Sequence, residues 1–203
     1  MDLDALVSSY ESAAGSSPKD SLTGLFNFGF LGYLLDHLLE SAVQPSEDIT
    51  LAIIDIDGFR QLNDQAGYLE GDRLLKTVGN SIAETLRDGD IPARLSNDRF
   101  GAVLMSTGAK LAHIAAERIR SAVQNIDYEN LSVSIGISSY PEDAATPAEL
   151  LSHALEAVNH SKMRGKNKVY QYSSTEAAPA DMRPHILIVD DDPKITKMLT
   201  AQL

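Results

Sequence analysis

Charged side chains are concentrated in residues 87–100, near the middle of the chain. Arg87 and Asp90 are three positions apart, and Asp98 and Arg99 are adjacent a few residues later. A guanidinium presents a planar fork of N–H donors that fits phosphate oxygens, and a carboxylate can hold a divalent cation. An Arg and an Asp at this spacing near a helix end are also commonly a solvated ion pair of little energetic value. The residue types therefore leave a binding site and a surface ion pair as alternatives.

Hydrophobic periodicity predicts the elements that carry these residues. Residues 65–87 predict a loop and then a helix that stops near Gly89. Residues 93–95 and 100–104 predict two short strands joined by the exposed turn Ser96-Asn97-Asp98. The continuous apolar run over residues 51–56 predicts a central strand that is covered on both faces. The charged residues are thus expected at a helix end and on a hairpin.

The rest of the chain alternates between apolar helical and strand patterns. Helices are predicted over residues 28–43, 110–125 and 147–164, and strands over 131–139 and 168–172. In the helix over 110–125 the residues expected to face inward are Leu111, Ile114, Ala115, Ile119 and Val123. Residues 1–19 are expected to form a frayed N-terminal arm, not a signalling helix.

Composition narrows the class of protein. The chain has 203 residues, no cysteine and a formal net charge of −12. The acidic balance argues against nucleic acid as a partner, because nucleic-acid binding needs a basic surface. No apolar run approaches the about 18 residues needed to cross a membrane. The start, Met1-Asp-Leu-Asp4, lacks a basic signal-peptide region, so a cytoplasmic location is expected.

Ordered motifs run through residues 20–172. They read Asp20-Ser-Leu-Thr-Gly-Leu-Phe-Asn27, Asp55-Ile-Asp57-Gly-Phe59-Arg60 with Asn63-Asp64 and Gly71-Asp72, Val133-Ser134-Ile135-Gly136, and Lys162-Met-Arg-Gly165-Lys166-Asn167. Together they resemble the motifs of the GGDEF family, the diguanylate cyclases. The resemblance implies an α/β fold, a ferredoxin-like or cyclase-type sandwich. Its central sheet is expected to be mostly antiparallel and five-stranded and flanked by helices, with a hairpin that carries the family's signature motif.

The hairpin departs from the family's pattern R-[YF]-G-G-[DE]-E-F. It reads Arg94-Leu95-Ser96-Asn97-Asp98-Arg99-Phe100. By the resemblance Asp55 matches a carboxylate that binds Mg²⁺, but Arg99 stands where the family has the second metal-binding residue, a glutamate. This change removes an oxygen ligand and adds a positive charge beside the metal position. We therefore expect no cyclase activity, no required cofactor and no bound Mg²⁺, with Asp55 as a vestigial metal ligand.

Two arrangements of Arg99 are open from the sequence. Its guanidinium could replace the metal and bind GTP phosphates directly, or it could pair with Asp55 or Asp98 and close the pocket, which we favour. By the resemblance, Asn63 and Asp72 match residues that recognise guanine. The basic residues that match phosphate contacts are Arg60, Lys162 and Lys166, and Tyr68 replaces a frequent histidine. Asn63 and Asp72 could equally make cap or loop hydrogen bonds that need no ligand.

A second motif keeps the family's pattern. Arg87-Asp88-Gly89-Asp90 matches R-x-x-D, the family's inhibitory site for cyclic di-GMP, and Arg118 matches a second arginine that faces this ligand. A guanidinium fits guanine or phosphate, and a carboxylate accepts from guanine N–H groups. The sequence therefore predicts an inactive GGDEF domain that acts as a cyclic di-GMP receptor. A ligand bridging Arg87 and Asp90 of one subunit to Arg118 of another would give a homodimer.

Residues 173–184 have the composition of a linker, and residues 185–203 resemble the first strand and helix of a response-regulator receiver domain. By this interpretation the receptor passes its occupancy to an attached receiver or to an unknown protein partner. A nucleotide-independent or GTP-binding interaction platform is the alternative function. A residual diguanylate cyclase is the third.

Overall fold

The central strand predicted over residues 51–56 is two residues longer and lies in the middle of the sheet. It is β2 (Ile49–Ile56), and every residue in it is buried. It pairs antiparallel with the strands on both sides. These features come from a computed structural model, which describes residues 2–41 and 48–173. The predicted linker after Ser173, the receiver-like segment and the end of the helix predicted over 28–43 lie outside the described residues.

Within the described ranges the sheet has six strands, in the order β1-β3-β4-β2-β5-β6. The other strands are β1 (Phe26–Asn27), β3 (Ile91–Arg94), β4 (Arg99–Leu104), β5 (Val133–Tyr140) and β6 (Val169–Gln171). The pairs β1–β3 and β5–β6 are parallel, and the others are antiparallel. The predicted α/β class is confirmed. The strand count was one too low because the two residues of β1 carry no periodic signal.

Helices cover both faces of the sheet. They are α1 (Leu3–Ala14), α2 (Phe28–Ser41), α3 (Phe59–Ala66), α4 (Tyr68–Thr85), α5 (Ala109–Gln124) and α6 (Pro147–Met163). Ile54 packs in a core formed with α3, α4 and α5, while Ile53 packs in a second core formed with α1, α2 and α6. Successive residues of a strand point to opposite faces, so a strand between two helical layers must be apolar throughout. No helix in the described ranges is long and apolar enough to cross a membrane.

The N-terminal residues form a capped helix, so the prediction of a frayed arm was wrong. Asp2 Oδ1 accepts from the Ala5 amide at 3.2 Å, and Gly15 ends α1 with a φ of 63°. Leu6 and Tyr10 are only 5% and 9% exposed. Tyr10 meets the edge of Phe30 on α2 at 5.4 Å between ring centroids. Burial of this apolar stripe against α2 holds the helix, which a segment this short could not achieve alone.

The prediction of which α5 residues face inward was also partly wrong. Leu111 and Ile114 are 61% and 55% exposed. The face that packs on the sheet is Ala109, Ala112, Ala116, Ile119 and Val123. Three alanines on this face let the helix axis approach the sheet closely. With the alanine face turned to the sheet, the larger Leu111 and Ile114 point outward. Helix α3 was missed because only Phe59 in it is buried.

Candidate functional site

The hairpin between β3 and β4 places Arg99 directly opposite Asp55. The two residues are register partners in the β2–β4 pair. The turn is closed by the amides of Leu95 and Ser96, which donate to the Arg99 carbonyl oxygen at 2.8 and 3.3 Å. At its base, Arg94 Nη1 lies 3.1 Å from Asp20 Oδ1. The hairpin is thus tied both to the central strand and to the loop before β1.

Asp55 is enclosed by two cations. Its side chain is 1% exposed, and its Oδ2 accepts from Arg99 Nε at 2.8 Å. Lys162 Nζ on α6 lies 2.7 Å from Oδ1, although Oδ1 accepts no aligned hydrogen bond in the described residues. The Lys162–Asp55 contact is therefore an ion pair without an aligned hydrogen bond. Of the two arrangements of Arg99 open from the sequence, the structure has the ion pair with Asp55.

The donor set at this position does not fit Mg²⁺. Burial and the nearby Asp55 carboxylate raise the pKa of Asp98, the remaining acidic residue of the hairpin. A hard divalent cation needs several free oxygen ligands in a regular geometry. Both Asp55 oxygens face cationic nitrogens instead, and the described residues contain no group of three acidic, histidine or cysteine side chains able to hold a metal.

Asp57 has a structural role that the sequence motif did not reveal. It accepts from the Ser132 and Ser134 hydroxyls, both at 2.8 Å, and from the Asn167 amide at 3.1 Å. Asn167 Oδ1 in turn accepts from Arg120 Nη1 at 2.8 Å. These bonds join the end of β2, the start of β5, α5 and the turn that carries Lys166. Asp57 therefore links the end of β2 to the start of β5 and to the turn before β6, and Asn167 extends this link to α5.

The predicted guanine-recognising residues lie together where α3 meets α4. Asn63 Oδ1 is buried and has no hydrogen-bond partner in the part of the chain that the structure describes. A Cβ at Gly71 would lie 2.0 Å from this oxygen, so glycine leaves the space that Asn63 occupies. Asp72 is exposed at the same junction. Within the described residues, Asn63 Oδ1 thus makes no cap hydrogen bond, and both roles of Asn63 and Asp72 stay predictions.

The basic residues predicted around that junction are exposed to different degrees. Arg60 and Lys166 are exposed, whereas Lys162 is held at Asp55. Tyr68, in the position of the frequent histidine, is 77% exposed. In the described part of the chain, Lys162 thus contacts Asp55, the β2 residue that pairs with Arg99 of the hairpin.

The R-x-x-D residues are held at the end of β4. The Asp90 side chain is 5% exposed, and its Oδ1 accepts from the Met105 amide at 3.1 Å and from Arg87 Nε at 3.4 Å. Arg87 Nη2 also donates to the Met105 carbonyl oxygen and, at 2.5 Å, to Thr107 Oγ1. The side chain of Arg87 nevertheless remains 57% exposed. A freely solvated surface pair is not what the structure contains.

Arg118 lies beside this motif in the same chain. Its Nη2 donates to the carbonyl oxygen of Thr85 at 2.6 Å, two residues before Arg87. The bridging hypothesis placed Arg118 of a second subunit opposite Arg87. Within one subunit, Arg118 is thus bonded to the backbone two residues from Arg87. The supporting groups on Met105 and Thr107 gave no signal in the sequence, since they lie in an unremarkable loop.

Comparisons with known proteins identify the same fold and family. The family model for the diguanylate cyclase GGDEF domain matches residues 17–168. Diguanylate cyclase A of Treponema denticola is 34% identical over 148 residues, which cover 69% of this chain and 40% of that protein. Response regulator PleD of Caulobacter vibrioides is 32% identical over 158 residues, covering 74% and 35%. The chain thus spans less than half the length of these relatives.

A crystal structure gives the same answer. The GGDEF domain of TpbB from Pseudomonas aeruginosa superposes with a TM-score of 0.70 at 31% identity, covering 74% of this chain and 98% of that one. On its sequence motifs, its sheet and these matches, the chain belongs to the GGDEF domain family.

Proposed function

We propose that this chain is a GGDEF domain without cyclase activity that binds cyclic di-GMP through Arg87, Asp90 and Arg118. The observation that carries the proposal is the pair of exposed arginines beside a buried carboxylate at the end of α4. In the protein it belongs to, occupancy of this site is passed to an attached receiver domain or another partner. Ligand-linked homodimerisation is part of the same hypothesis.

The proposed inactivity rests on the charge around Asp55. Phosphoryl transfer gains most of its rate from positioning and from metal ions that neutralise developing charge. Here Arg99 and Lys162 already neutralise the carboxylate that would hold the metal. Ser96 and Asn97 also add side chains in the turn where close approach of a nucleotide needs bare backbone.

Incubation with GTP and Mg²⁺ is expected to yield no cyclic di-GMP above the enzyme-free blank, as measured by liquid chromatography with mass detection. The matched variants are Arg99→Glu, and Arg99→Glu combined with Ser96→Gly and Asn97→Gly. Product from the wild-type chain, increased by Arg99→Glu, would contradict the proposed inactivity. No product from the triple variant would mean that other positions or the subunit arrangement are also unsuitable.

The proposed ligand matches the chemistry of the second site. Cyclic di-GMP carries two phosphates and two guanines, which need cationic donors and an acceptor for guanine N–H groups. The overall charge of −12 makes a local basic surface more selective, since anions are repelled elsewhere. Arg87 and Arg118 supply the donors, and Asp90 supplies the acceptor and holds Arg87 in place.

Calorimetric titration of cyclic di-GMP into nucleotide-stripped protein is expected to show binding that Arg87→Ala weakens about tenfold or more. The reason is that hydrogen bonds to charged groups contribute about 1.5–3 kcal/mol each. Arg73→Ala is the control, because Arg73 is an exposed arginine on α4 that pairs with Glu70, an exposed-face neighbour three residues earlier. Equal affinities for the wild-type and Arg87→Ala proteins would rule out this site.

A protein-interaction platform is the second candidate function. It is favoured by Leu111 and Ile114, which project from α5 into solvent one turn apart. Exposed apolar side chains that adjoin one another often mark a protein contact. This function requires that neither GTP nor cyclic di-GMP raise the melting temperature, since a ligand that binds only the native state must stabilise it.

A further inference from the structure

We propose that Thr107 is a positioning residue for the cyclic di-GMP site: it orients the Arg87 guanidinium before the ligand arrives. The inference rests on the proposed function and adds a residue outside the R-x-x-D motif. Thr107 follows β4 and is 4% exposed, and its hydroxyl is already engaged by Met105 and Arg87. Its effect on recognition must pass through Arg87.

The hydroxyl of Thr107 can play only one part toward Arg87. It donates its single hydrogen to the Met105 carbonyl oxygen at 2.7 Å. A threonine hydroxyl has one donor and two acceptor lone pairs, so a lone pair faces Arg87 Nη2 at 2.5 Å. The same carbonyl of Met105 accepts from Nη2 as well. Thr107 and Met105 together form a two-oxygen seat for one end of the guanidinium.

This seat is anchored in the centre of the sheet. The Thr107 amide donates to the Asp48 carbonyl oxygen at 2.9 Å. The Thr107 carbonyl oxygen accepts from Thr50 Oγ1 at 2.7 Å, and that hydroxyl lies 2.7 Å from Ser139 Oγ. Thr50 and Ser139 are 0% and 1% exposed, on the adjacent strands β2 and β5. A buried chain of hydrogen bonds therefore connects Thr107, which accepts from the Arg87 guanidinium, to the core of the domain.

The three nitrogens of the Arg87 guanidinium therefore have different roles. Nε faces Asp90 Oδ1 at 3.4 Å, and Nη2 is used by Met105 and Thr107. Nη1 has no hydrogen-bond partner in the described part of the chain, and the side chain is 57% exposed. The ligand therefore meets Nη1 and the flat face of a side chain that is already ordered. Ordering a long side chain on binding costs affinity, and this arrangement removes that cost.

The test compares Thr107→Val with Thr107→Ser. Valine has nearly the same shape and leaves the backbone bonds of residue 107 in place, but it removes the hydroxyl; serine keeps the hydroxyl. Cyclic di-GMP affinity is expected to fall about three- to tenfold in Thr107→Val and to stay within about twofold in Thr107→Ser. The ¹⁵N relaxation of Arg87 Nε in the ligand-free proteins is expected to show an ordered side chain in wild type and Thr107→Ser, and a mobile one in Thr107→Val.

Each other result overturns the inference in an identifiable way. A lower melting temperature in Thr107→Val with unchanged affinity would make Thr107 a purely structural residue. Arg87 Nε equally mobile in wild type and Thr107→Val would remove the orienting contact itself. Absence of cyclic di-GMP binding in the wild-type protein would overturn the proposed function, even if relaxation showed that Thr107 orders Arg87.

Discussion

Replacing Arg99 with glutamate is expected to lower the free energy of unfolding by about 2–3 kcal/mol in the presence of EDTA. Asp55 is 1% exposed and loses the guanidinium on its Oδ2. The substitution also places a second carboxylate beside it, next to Asp98. Breaking a buried ion pair can cost about 3–5 kcal/mol, but Arg99 is 39% exposed, so solvent screening reduces the loss. Urea denaturation followed by circular dichroism measures it.

The same variant is expected to regain stability when Mg²⁺ is added, whereas the wild-type chain is not. Three neighbouring carboxylates form the oxygen-rich environment that Mg²⁺ prefers, and a cation that binds only the folded state raises the unfolding midpoint. Arg99→Gln is the control, because it removes the ion pair without adding an oxygen anion. Wild-type stability that rises with Mg²⁺ as much as that of Arg99→Glu would show that Arg99 does not exclude the ion.

Replacing Gly136 with alanine is expected to destabilise the domain by about 3 kcal/mol or more, the upper range for overpacking a core. A Cβ at this position of β5 would lie 2.3 Å from the Ala154 carbonyl oxygen and 2.3 Å from the Val158 amide nitrogen. Both atoms belong to the backbone of α6, which therefore cannot yield by a side-chain rotation. Helix α6 would have to move away from β5, and this movement would also take Lys162 away from Asp55.

Gly101→Ala is the matched control on β4. The atoms nearest to its Cβ would be those of the Leu95 side chain, the first at 3.3 Å, and that side chain can shift. Its cost is expected to stay below about 1.5 kcal/mol, the usual limit for small volume changes that a core can absorb. Equal denaturation midpoints for Gly136→Ala and Gly101→Ala would mean that α6 can move away from β5 at little cost.

Local patterns predicted much of the fold because they report directly on burial. The apolar run that became β2 had to be a strand between two covered faces, and the hairpin was bounded by short apolar segments around a polar turn. The same reasoning misplaced Leu111 and Ile114. It equates large apolar residues with the inside, whereas the small alanines of α5 set how closely that helix packs. It also missed the folding of α1, whose stability comes from contacts with α2 rather than from its own sequence.

The residue types at the two candidate sites were determined by the sequence alone. Arg99 in the hairpin and the Arg87–Asp90 spacing can be read without coordinates, and so can the expectation that an arginine would disfavour a metal. Only the tertiary structure decided which partners these side chains take. Strand register places Arg99 across from Asp55, and α6 brings Lys162 to the same carboxylate, although Lys162 is 107 positions from Asp55 in the chain. Likewise Thr107 reaches Arg87 only because β4 returns the chain to the end of α4. Such contacts join residues distant in sequence, and their geometry depends on how whole elements pack.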